Sequence, residues 1–597
     1  MDVGYARKSS LLDKKYREFF IPTILTAMAL SMSISVDGLI VGNFLGSAAL
    51  ATVNLVMPVI LFYNTFAVLL GMGAATIIAI AKGRREDKHA DDVFTVSWLL
   101  LVVVSVVLTV GEFAFIEQIS RLITTDAILQ PLVKEFLQIL FYGTPFMLIC
   151  LGSVFCLRTD GMAKLASTVL VTANVVNLIL DLVYIGLFGM GVGGAALATV
   201  TGYVVGTATL LFYVFAKDRT LHINFKLLFK PLLILTQVKR ILISGIPGAT
   251  SAILVPPKLL CINTIVLAVA GSSGMVALSV CNACLSLLNM FTYGAAQTMT
   301  PIIGTLYGEK DFAGIRFVVK KAFQILVFAS LLITIMLELF PEIVLTLFGV
   351  RNEADFVIGT LAVRIFSLSL LGRSLSLLII FFCTATEKRK IASAISLVDG
   401  FVIVVPGALI LGHWFGIAGI WFSFVFAEII ALLMVGVYYL YKKRTAGVNQ
   451  DILLLDTSSK NALQVLDLTI LSNVEDAVGL SEKIIAFLRQ SSVEPGLSNK
   501  VGMVIEEMAV NIAMYGYKNS RKQHYIDIRI KLLSEEFIIT LRDDGEWFDP
   551  TKYLESEREN TEYRIGGIDL VNAIAQKVEY SRVLGLNNTT ITIQNSN

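Results

Sequence analysis

Two acidic side chains stand inside long apolar runs of this 597-residue sequence. Asp37 interrupts SISVDGLIVGNFLG, and Asp181 interrupts TANVVNLILDLVYIG. Asn177 precedes Asp181 by four residues and shares its helical face, and Thr199 follows in the next apolar run. Carboxylate, amide and hydroxyl oxygens suit a small cation, and a desolvated carboxylate can instead carry a proton near neutral pH. The alternative is that Asp37 marks the end of a span and Asn177 only packs helices together.

A second candidate site begins in the stretch EEMAVNIAMYGYKN, residues 506–519. Apolar residues recur at helical spacing around it, which places Glu507 and Asn511 together, off the buried face. The amide oxygen of Asn511 can hold Mg²⁺ that bridges phosphates, and Glu507 can accept a proton from an attacking hydroxyl. These two residues predict nucleotide chemistry, although such a pair alone is usually a solvated helix face.

The other parts of a nucleotide site follow along the chain. Asp543, in DDGEWFDP, can accept a hydrogen from an adenine amino group, and Gly545 lets the ring approach. Gly566 and Gly567 precede a predicted helix, whose backbone N–H groups can bind phosphate. The sequence contains no G-x-x-x-x-G-K-[ST] phosphate loop. The pattern therefore predicts ATP binding without pumping of the ABC type.

The elements that carry the two candidate sites differ in composition. A mean hydropathy of +0.76, with 56% hydrophobic and 16% charged residues, indicates a membrane protein. Residues 449–597 have an ordinary soluble composition. A span needs roughly 20 apolar residues, and the sequence predicts twelve: 19–43, 51–81, 93–116, 133–157, 166–188, 191–216, 241–270, 276–306, 318–348, 357–383, 391–412 and 415–440.

Basic residues indicate the orientation of these spans. They concentrate in the N-terminal arm, in the loops after spans 2, 4, 6, 8 and 10, and in YKKR after span 12. The positive-inside rule then places both termini in the cytoplasm. Five more charged residues lie in or near spans and are interpreted as span-end charges that reach the interface: Lys258, Arg364, Arg373, Asp399 and Glu428.

The spans form an internal repeat. GSAALATVN (46–54) matches GMVALSVCN (274–282), KLAS (164–167) matches KIAS (390–393), and GVGGAA (191–196) is similar to GIAGIW (416–421). The offsets are nearly constant, so the pattern predicts two six-helix halves with a substrate path between them.

The soluble tail has a different pattern. Helical periodicity around residues 498–519 is followed by alternating strands in YIDIRIKLL, FIITLRDDG, KVEYSRVLG and NTTITIQ. This order predicts helices on one face of an antiparallel sheet, an α+β two-layer sandwich.

Residues 15–445 resemble the multidrug and toxic compound extrusion (MATE) transporters. The resemblance rests on VDGLIVGNFLGSAALATVN, GMGAATIIAIAKGRRED, GAAQTMTPIIGTLYGEKD and NLILDLVYIGLFGMGVGGAALAT, which follow the family's order. It implies antiport of a drug-like, often cationic or amphipathic, solute against Na⁺ or H⁺. In the DinF-like branch it also implies that Asp37, Asn177, Asp181 and Thr199 form the cation site of the first half.

Residues 465–597 resemble the GHKL (histidine kinase-like) ATPases with the Bergerat-type ATP-binding fold, and are most similar to anti-sigma factor serine kinases. EEMAVNIAMYGY corresponds to the N box, DDGEWFDP and GGIDLVNAIA to the glycine boxes, and GLNNTTITI, with Thr590, to the closing strand. The resemblance implies ATP and Mg²⁺ as cofactors and a partner similar to an anti-anti-sigma factor. Asp569 replaces the last glycine of the second box, so the sequence leaves open whether the domain phosphorylates a partner or only binds nucleotide.

The predicted fold is an all-α membrane bundle of twelve transmembrane helices with a C-terminal α+β two-layer sandwich. The predicted domains are a cytoplasmic arm (1–18), an N-lobe (19–216), an inter-lobe loop (217–240), a C-lobe (241–444), a linker (445–464) and an ATP-binding domain (465–597).

The predicted function is a cation-coupled exporter of drug-like solutes in the bacterial cytoplasmic membrane, in contact with membrane lipid and regulated by the nucleotide domain. Two alternatives remain: a transport-inactive receptor that controls a serine kinase acting on a transcription regulator, and a flippase of lipid-linked solutes. The tail lacks a basic surface with interleaved aromatic residues, so no nucleic-acid partner is expected.

Overall fold

The chain folds into two units, which are described separately. The computed structural model describes residues 9–348, 350, 352–446, 453, 455, 462–517, 523–551 and 566–595. One unit comprises Glu18–Thr445, and the other comprises Met1–Arg17 together with Ala446–Asn597.

The larger unit is entirely helical among its described residues. Its helices are α1 (Ser10–Leu45, which begins in the smaller unit), α2 (Ser47–Ala67), α3 (Gly73–Gly83), α4 (Asp87–Ala114), α5 (Ile116–Ile123), α6 (Leu129–Thr159), α7 (Ala163–Asp181), α8 (Gly191–Thr209), α9 (Leu211–Phe215), α10 (Pro231–Ile253), α11 (Val255–Gly308), α12 (Phe312–Leu339), α13 (Pro341–Leu347), α14 (Glu353–Ser367), α15 (Ser369–Ala385), α16 (Arg389–Leu397) and α17 (Val404–Ala446). Short π-helical turns follow α2, α7 and α16 at Val68–Met72, Leu182–Leu187 and Val398–Val402.

The described residues contain ten apolar helical segments long enough to cross a membrane. The two longest, Pro231–Gly308 and Arg389–Thr445, are each interrupted by a glycine with left-handed backbone geometry. These are Gly271, with φ of 61°, and Gly416, with φ of 60°. Glycine is suited to this conformation because it has no Cβ to clash with the backbone. Each long segment thus contains two predicted spans, and the ten segments accommodate the twelve.

Helix α3 packs closely against the last turns of α11. Every residue of α3 is buried. A Cβ added at Gly83 would lie 2.1 Å from the carbonyl oxygen of Thr305, so the two backbones touch without side chains between them. By contrast, large apolar side chains elsewhere point outward, among them Leu187 and Phe215. This surface suits contact with acyl chains, since lipid is as apolar as the side chains themselves.

The smaller unit contains a five-stranded antiparallel sheet. Its strands are β1 (Ala462–Leu471), β2 (Tyr525–Leu533), β3 (Glu536–Asp543), β4 (Lys577–Val583) and β5 (Leu586–Gln594), in the spatial order β1-β2-β3-β5-β4. The sequence prediction missed β1, although its residues Leu466, Leu468 and Ile470 alternate as a half-buried strand requires. The predicted linker lies mostly outside the described residues, and so does most of the polar stretch after residue 551.

The helices of the smaller unit cover one face of this sheet. They are α18 (Val474–Val478), α19 (Leu480–Gln490), α20 (Pro495–Tyr515) and α21 (Gly566–Ile574). One apolar core joins α19, α20 and α21 to the sheet through residues such as Ile484, Ile505 and Ile539. Polar pairs occupy alternate strand positions, as where Arg529 donates to both carboxylate oxygens of Asp467, at 2.6 and 2.9 Å. The predicted two-layer sandwich is confirmed.

Candidate functional site

The four residues predicted to bind a coupling ion come from three neighbouring helices. Asp37 lies in α1, Asn177 and Asp181 lie in the last two turns of α7, and Thr199 lies in α8. Asp181 is the last residue of α7 before the π-helical turn Leu182–Leu187. Asn177 and Asp181 are buried, and Asp37 and Thr199 are partly buried.

Hydrogen bonds connect these side chains around Asn177. Its amide nitrogen donates to a carboxylate oxygen of Asp181 at 3.3 Å and lies 3.4 Å from the hydroxyl of Thr199. The hydroxyl of Ser33, one turn before Asp37 in α1, donates to the amide oxygen of Asn177 at 3.3 Å. The sequence analysis missed Ser33, although its place one turn before Asp37 was visible in the sequence. The structure therefore brings all four predicted residues together.

The carboxyl groups of Asp37 and Asp181 face each other closely enough to interact directly. One oxygen of each, Oδ1, is buried and has no hydrogen-bond partner among the described residues. Two ionised carboxylates in a poorly hydrated site repel each other, and a shared proton or a bound cation removes that repulsion. The arrangement can thus hold one positive charge, supplied either as H⁺ or as a small metal ion.

A second feature is a cavity of about 410 Å³ between the predicted lobes. From the N-lobe it is lined mainly by apolar side chains, including Leu61, Met72 and Phe155. From the C-lobe it is lined by four charged side chains, Lys258, Arg373, Asp399 and Glu428, among apolar and amide side chains. Asp37 and Asp181 are not among the described residues that line it. The cavity and the acidic pair are therefore separate sites.

The four charged residues correct the interpretation of the sequence. Lys258, Arg373, Asp399 and Glu428 converge on the cavity from α11, α15, the π-helical turn after α16, and α17. They are thus not span-end charges. The interpretation fits Arg364, whose half-exposed side chain lies 3.9 Å from Glu342. Sequence spacing could not reveal this convergence, because the four residues come from helices that meet only in the folded bundle.

The nucleotide-binding prediction centres on Asp543, the last residue of β3, which is buried. Its Oδ1 accepts hydrogen bonds from the amide of Asn587 at 2.9 Å and from the backbone N–H of Gly545 at 2.8 Å. Burial raises the pKa of Asp543 to about 6, although these two bonds favour the ionised form. Asn587 pairs with Asp543 in the register of β3 and β5, and the sequence analysis missed it. This register could not be read from the sequence.

The remaining predicted nucleotide residues lie on α20, β5 and α21 of the same unit. Glu507 and Asn511 are partly buried on α20, and the amide nitrogen of Asn511 is buried with no partner among the described residues. Thr590 is buried on β5, with its hydroxyl 3.3 Å from that of Thr540. Gly566 and Gly567 are the first two residues of α21, so the predicted start of a helix at this point is found in the structure. The side chain of Asp569 lies outside the described part of the structure.

A polar cluster that the sequence did not indicate lies beside Asp543. Asp544 forms an ion pair with Lys14 of the N-terminal arm and accepts from His524 at 3.0 Å and from Tyr517 at 3.3 Å. The rings of Tyr517 and His524 stack with centroids 4.1 Å apart. Burial acts to raise the pKa of Asp544. The hydrogen bonds and charges of Lys14 and His524 outweigh this effect, so the pKa lies below its ordinary value. The arm is thus part of the smaller unit, next to its predicted nucleotide site.

A pair of neighbouring acids and a separate cavity inside a bundle of long apolar helices are features expected of a membrane transporter. The MatE family model matches residues 22–183 and 251–410, more than half of the chain. The chain belongs to the MatE family of transporters. A model of the histidine kinase-like ATPase domain matches residues 471–594, so the C-terminal domain is of that class.

Curated relatives and solved structures agree with this assignment. The probable multidrug resistance protein YoeA of Bacillus subtilis is 24% identical over 441 residues, covering 71% of this chain and 93% of the relative. The multidrug export protein MepA of Staphylococcus saprophyticus is 23% identical, covering 74% of this chain and 96% of the relative. A crystal structure of MATE in complex with MaL6 is 23% identical, with a TM-score of 0.67 over 73% of this chain and 97% of that chain.

Proposed function

We propose that the chain is a cation-coupled antiporter that exports drug-like solutes across the bacterial cytoplasmic membrane. The buried pair of Asp37 and Asp181, with Asn177 and Thr199 beside it, is the observation that carries this proposal. The curated relatives named as multidrug proteins support the solute class. The basic loops support a cytoplasmic position for both termini.

The mechanism follows from charge balance in the acidic pair. When both carboxylates are ionised, their repulsion and the π-helical turn directly after Asp181 favour one arrangement of α1 and α7. Entry of Na⁺ or H⁺ from outside neutralises the pair and favours another arrangement, in which the solute is released. Such coupling requires that the ion bind the two arrangements with different affinity. Asn177 and Ser33 hold the acids in register, and Thr199 adds a hydroxyl oxygen for a metal ion.

We also propose that the C-terminal domain binds ATP and regulates transport. Asp543, Gly545 and Thr590 would hold the base, and the start of α21 at Gly566 and Gly567 would hold phosphate. Asn511 would hold Mg²⁺, which would neutralise phosphate charge, and Glu507 would accept a proton if the domain phosphorylates a serine on a partner similar to an anti-anti-sigma factor. The amide nitrogen of Asn511 has no partner among the described residues, which supports a hydrogen-bond acceptor such as a phosphate oxygen at this position, whereas the metal ion would be held by the amide oxygen.

The contact of the N-terminal arm supports the regulatory part of the proposal. Lys14 pairs with Asp544, the residue after Asp543. The same helix, α1, carries Asp37 further along. Nucleotide binding that alters the Asp544 cluster would therefore act on the helix that contributes half of the acidic pair.

Transport by the reconstituted full-length protein tests the antiporter. Proteoliposomes are loaded with a fluorescent drug-like solute, in separate experiments with a cationic, a neutral and an anionic one, and a Na⁺ or proton gradient is imposed. The wild type is expected to exchange drug for one of these ions, and Asp37→Asn is expected to abolish the exchange. Asp218→Asn, which alters an exposed acid, is the matched control. Unchanged exchange in Asp37→Asn would disprove the coupling site. Absence of exchange in the wild type, together with kinase output that varies with added drug, would favour a receptor.

Nucleotide binding by the full-length protein in detergent tests the regulatory domain. A fluorescent ATP analogue is expected to bind in the presence of Mg²⁺, and Asn511→Ala is expected to weaken binding at least tenfold. Asn499→Ala, on the first turns of the same helix, is the control. Binding that survives Asn511→Ala, or that needs no Mg²⁺, would contradict the assigned role.

A further inference from the structure

The central cavity has an unequal distribution of charge. Its N-lobe wall is apolar apart from Asn64, and all four of its charged residues belong to the C-lobe. A solute inside therefore meets an apolar surface on one side and charged groups on the other. The chemistry of those groups determines which solutes the cavity accepts.

The two acids of this wall already have partners. Asp399 forms an ion pair with Arg373. Glu428 accepts a hydrogen bond of 2.7 Å from the hydroxyl of Ser376. Both acids are 5% exposed. An organic cation would have to displace these partners, or approach two basic side chains, before it reached either carboxylate.

Lys258 is the exception in this group. Within the part of the chain that the structure describes, its ammonium makes no hydrogen bond and has no acidic oxygen within 4.0 Å. It interacts with Glu428 only at longer range, and Arg373 repels it. Its side chain is half-buried and lines the cavity, so a solute can reach the charge. A charged group near the middle of a membrane costs about 2.5–3.5 kcal/mol on insertion scales unless something offsets it.

We propose that the cavity binds an amphipathic solute that carries a carboxylate or a similar single anionic group. The anion pairs with Lys258, and the amide side chains of Asn282 and Asn289 in the lining can donate hydrogen bonds to it. The apolar body of the solute lies against Leu61, Met72 and Phe155. This inference names the substrate class of the antiporter proposed above, and it replaces the sequence-based expectation of a cationic solute.

Three probes with one fluorescent body and different charges test the inference. They are dansylglycine, an anion; dansylglycine methyl ester, which is neutral; and dansylcadaverine, a cation. Binding to the full-length protein in neutral detergent is measured by fluorescence. The wild type is expected to bind the anion at least tenfold more tightly than the ester or the cation. Equal affinities, or tighter binding of the cation, would overturn the proposal.

Variants of Lys258 test whether this residue causes the preference for the anionic probe. Lys258→Met is expected to lose the tenfold advantage of the anion while it retains binding of the ester, which also shows that the variant folds. Lys258→Arg is expected to keep the advantage. Lys164→Met, which removes an exposed lysine outside the cavity lining, is the matched control. A preference that persists in Lys258→Met would overturn the assignment to this residue.

An anionic lipid headgroup presents the same chemistry as an anionic solute. Competition by phosphatidylglycerol, but not by phosphatidylcholine, would assign the cavity to lipid and overturn the solute. Failure of the antiporter proposal is distinguishable, because Asp37→Asn is expected to abolish ion-driven transport of every probe while the binding preference for the anion persists. A preserved preference without ion-driven transport in the wild type would thus reject the antiporter alone.

Discussion

The buried charged residues of the two lobes have different partners. In the N-lobe, Asp37 and Asp181 lie together with only amide and hydroxyl partners, and one oxygen of each is unpartnered among the described residues. In the C-lobe, Asp399 is paired with Arg373, and Glu428 lies near both Arg373 and Lys258. Within the described part of the chain, the N-lobe pair has no basic partner, whereas the C-lobe group contains both acidic and basic side chains.

This difference indicates different tasks for the two groups. In the proposed antiporter, the N-lobe pair changes its net charge by taking up a cation from outside, as coupling to a gradient requires. The C-lobe group has two acidic and two basic side chains, so their formal charges cancel. We therefore expect a coupling cation to bind there more weakly than at the N-lobe pair. Lys258, which has no close acidic partner among the described residues, is the group that we propose to bind the solute.

The largest expected effect comes from removing the uncompensated charge in the N-lobe. Asp181→Asn leaves the fold intact because the amide can accept and donate in the same place, but it removes the second carboxylate. Ion-driven exchange is expected to fall about 100-fold, which corresponds to about 2.7 kcal/mol. The measurement is drug efflux from proteoliposomes, beside Asp218→Asn as an exposed control. Exchange within threefold of the wild type would show that the second carboxylate of the N-lobe pair is not needed for coupling, and the proposed difference between the two lobes would be wrong.

Removing one partner of the Asp399–Arg373 ion pair in the C-lobe is expected to lower the free energy of unfolding more than it affects ion coupling. Asp399→Asn leaves the Arg373 guanidinium, which is one-fifth exposed, without its acid. A buried charge that loses its partner costs several kcal/mol, and contact with the cavity reduces this to about 2 kcal/mol. Thermal unfolding in detergent is expected to show a lower Tm for Asp399→Asn and recovery in the double variant with Arg373→Met. An unchanged Tm in the single variant would mean that the pair is not needed for balance.

Asp543, in the C-terminal domain, is a buried acid whose hydrogen-bond donors are known, so it offers a comparison with the acidic pair of the N-lobe. Asp543 has two fixed hydrogen-bond donors and a pKa of about 6. It is ionised at pH 7 and mostly protonated at pH 5, and the ionised form accepts better from an adenine amino group. Affinity for an ATP analogue is therefore expected to fall about tenfold from pH 7 to pH 5. Titration of the full-length protein checks this, with Asp549→Asn as control. Affinity that rises on acidification would contradict the role of Asp543.

The smallest expected effect is that of Thr199, which lies beside the acidic pair, on the apparent affinity for Na⁺. The hydroxyl of Thr199 already donates to the carbonyl oxygen of Ala195 at 3.1 Å, so it can offer an incoming ion only a lone pair. Thr199→Val is expected to lower the apparent affinity for Na⁺ about threefold and to leave proton coupling unchanged, because a proton needs no third ligand. Thr201→Val, two residues further along α8, is the control. An equal loss with both ions would indicate a packing role.

The sequence was sufficient for features that depend on local pattern. Runs of apolar residues gave the spans, since lipid excludes unsatisfied backbone groups and only long apolar helices meet that demand. The spacing of Asn177 and Asp181 placed them on one face because a helix repeats every 3.6 residues. The strands β2 to β5 were visible for a similar reason, whereas β1 was missed at the boundary between the predicted linker and the predicted ATP-binding domain.

Features that depend on contacts between distant segments needed the tertiary structure. No pattern in the sequence brings Lys258 to the cavity wall with Arg373, joins Asn587 to Asp543, or pairs Lys14 with Asp544 across more than 500 residues. Each of these contacts depends on how helices cross or how strands register, and those are set by packing of the whole core. The sequence by itself determined that buried acids and a nucleotide-type domain exist in this chain. Only the folded bundle decided which charges are balanced and which one remains available, because charge balance is a property of neighbours in space.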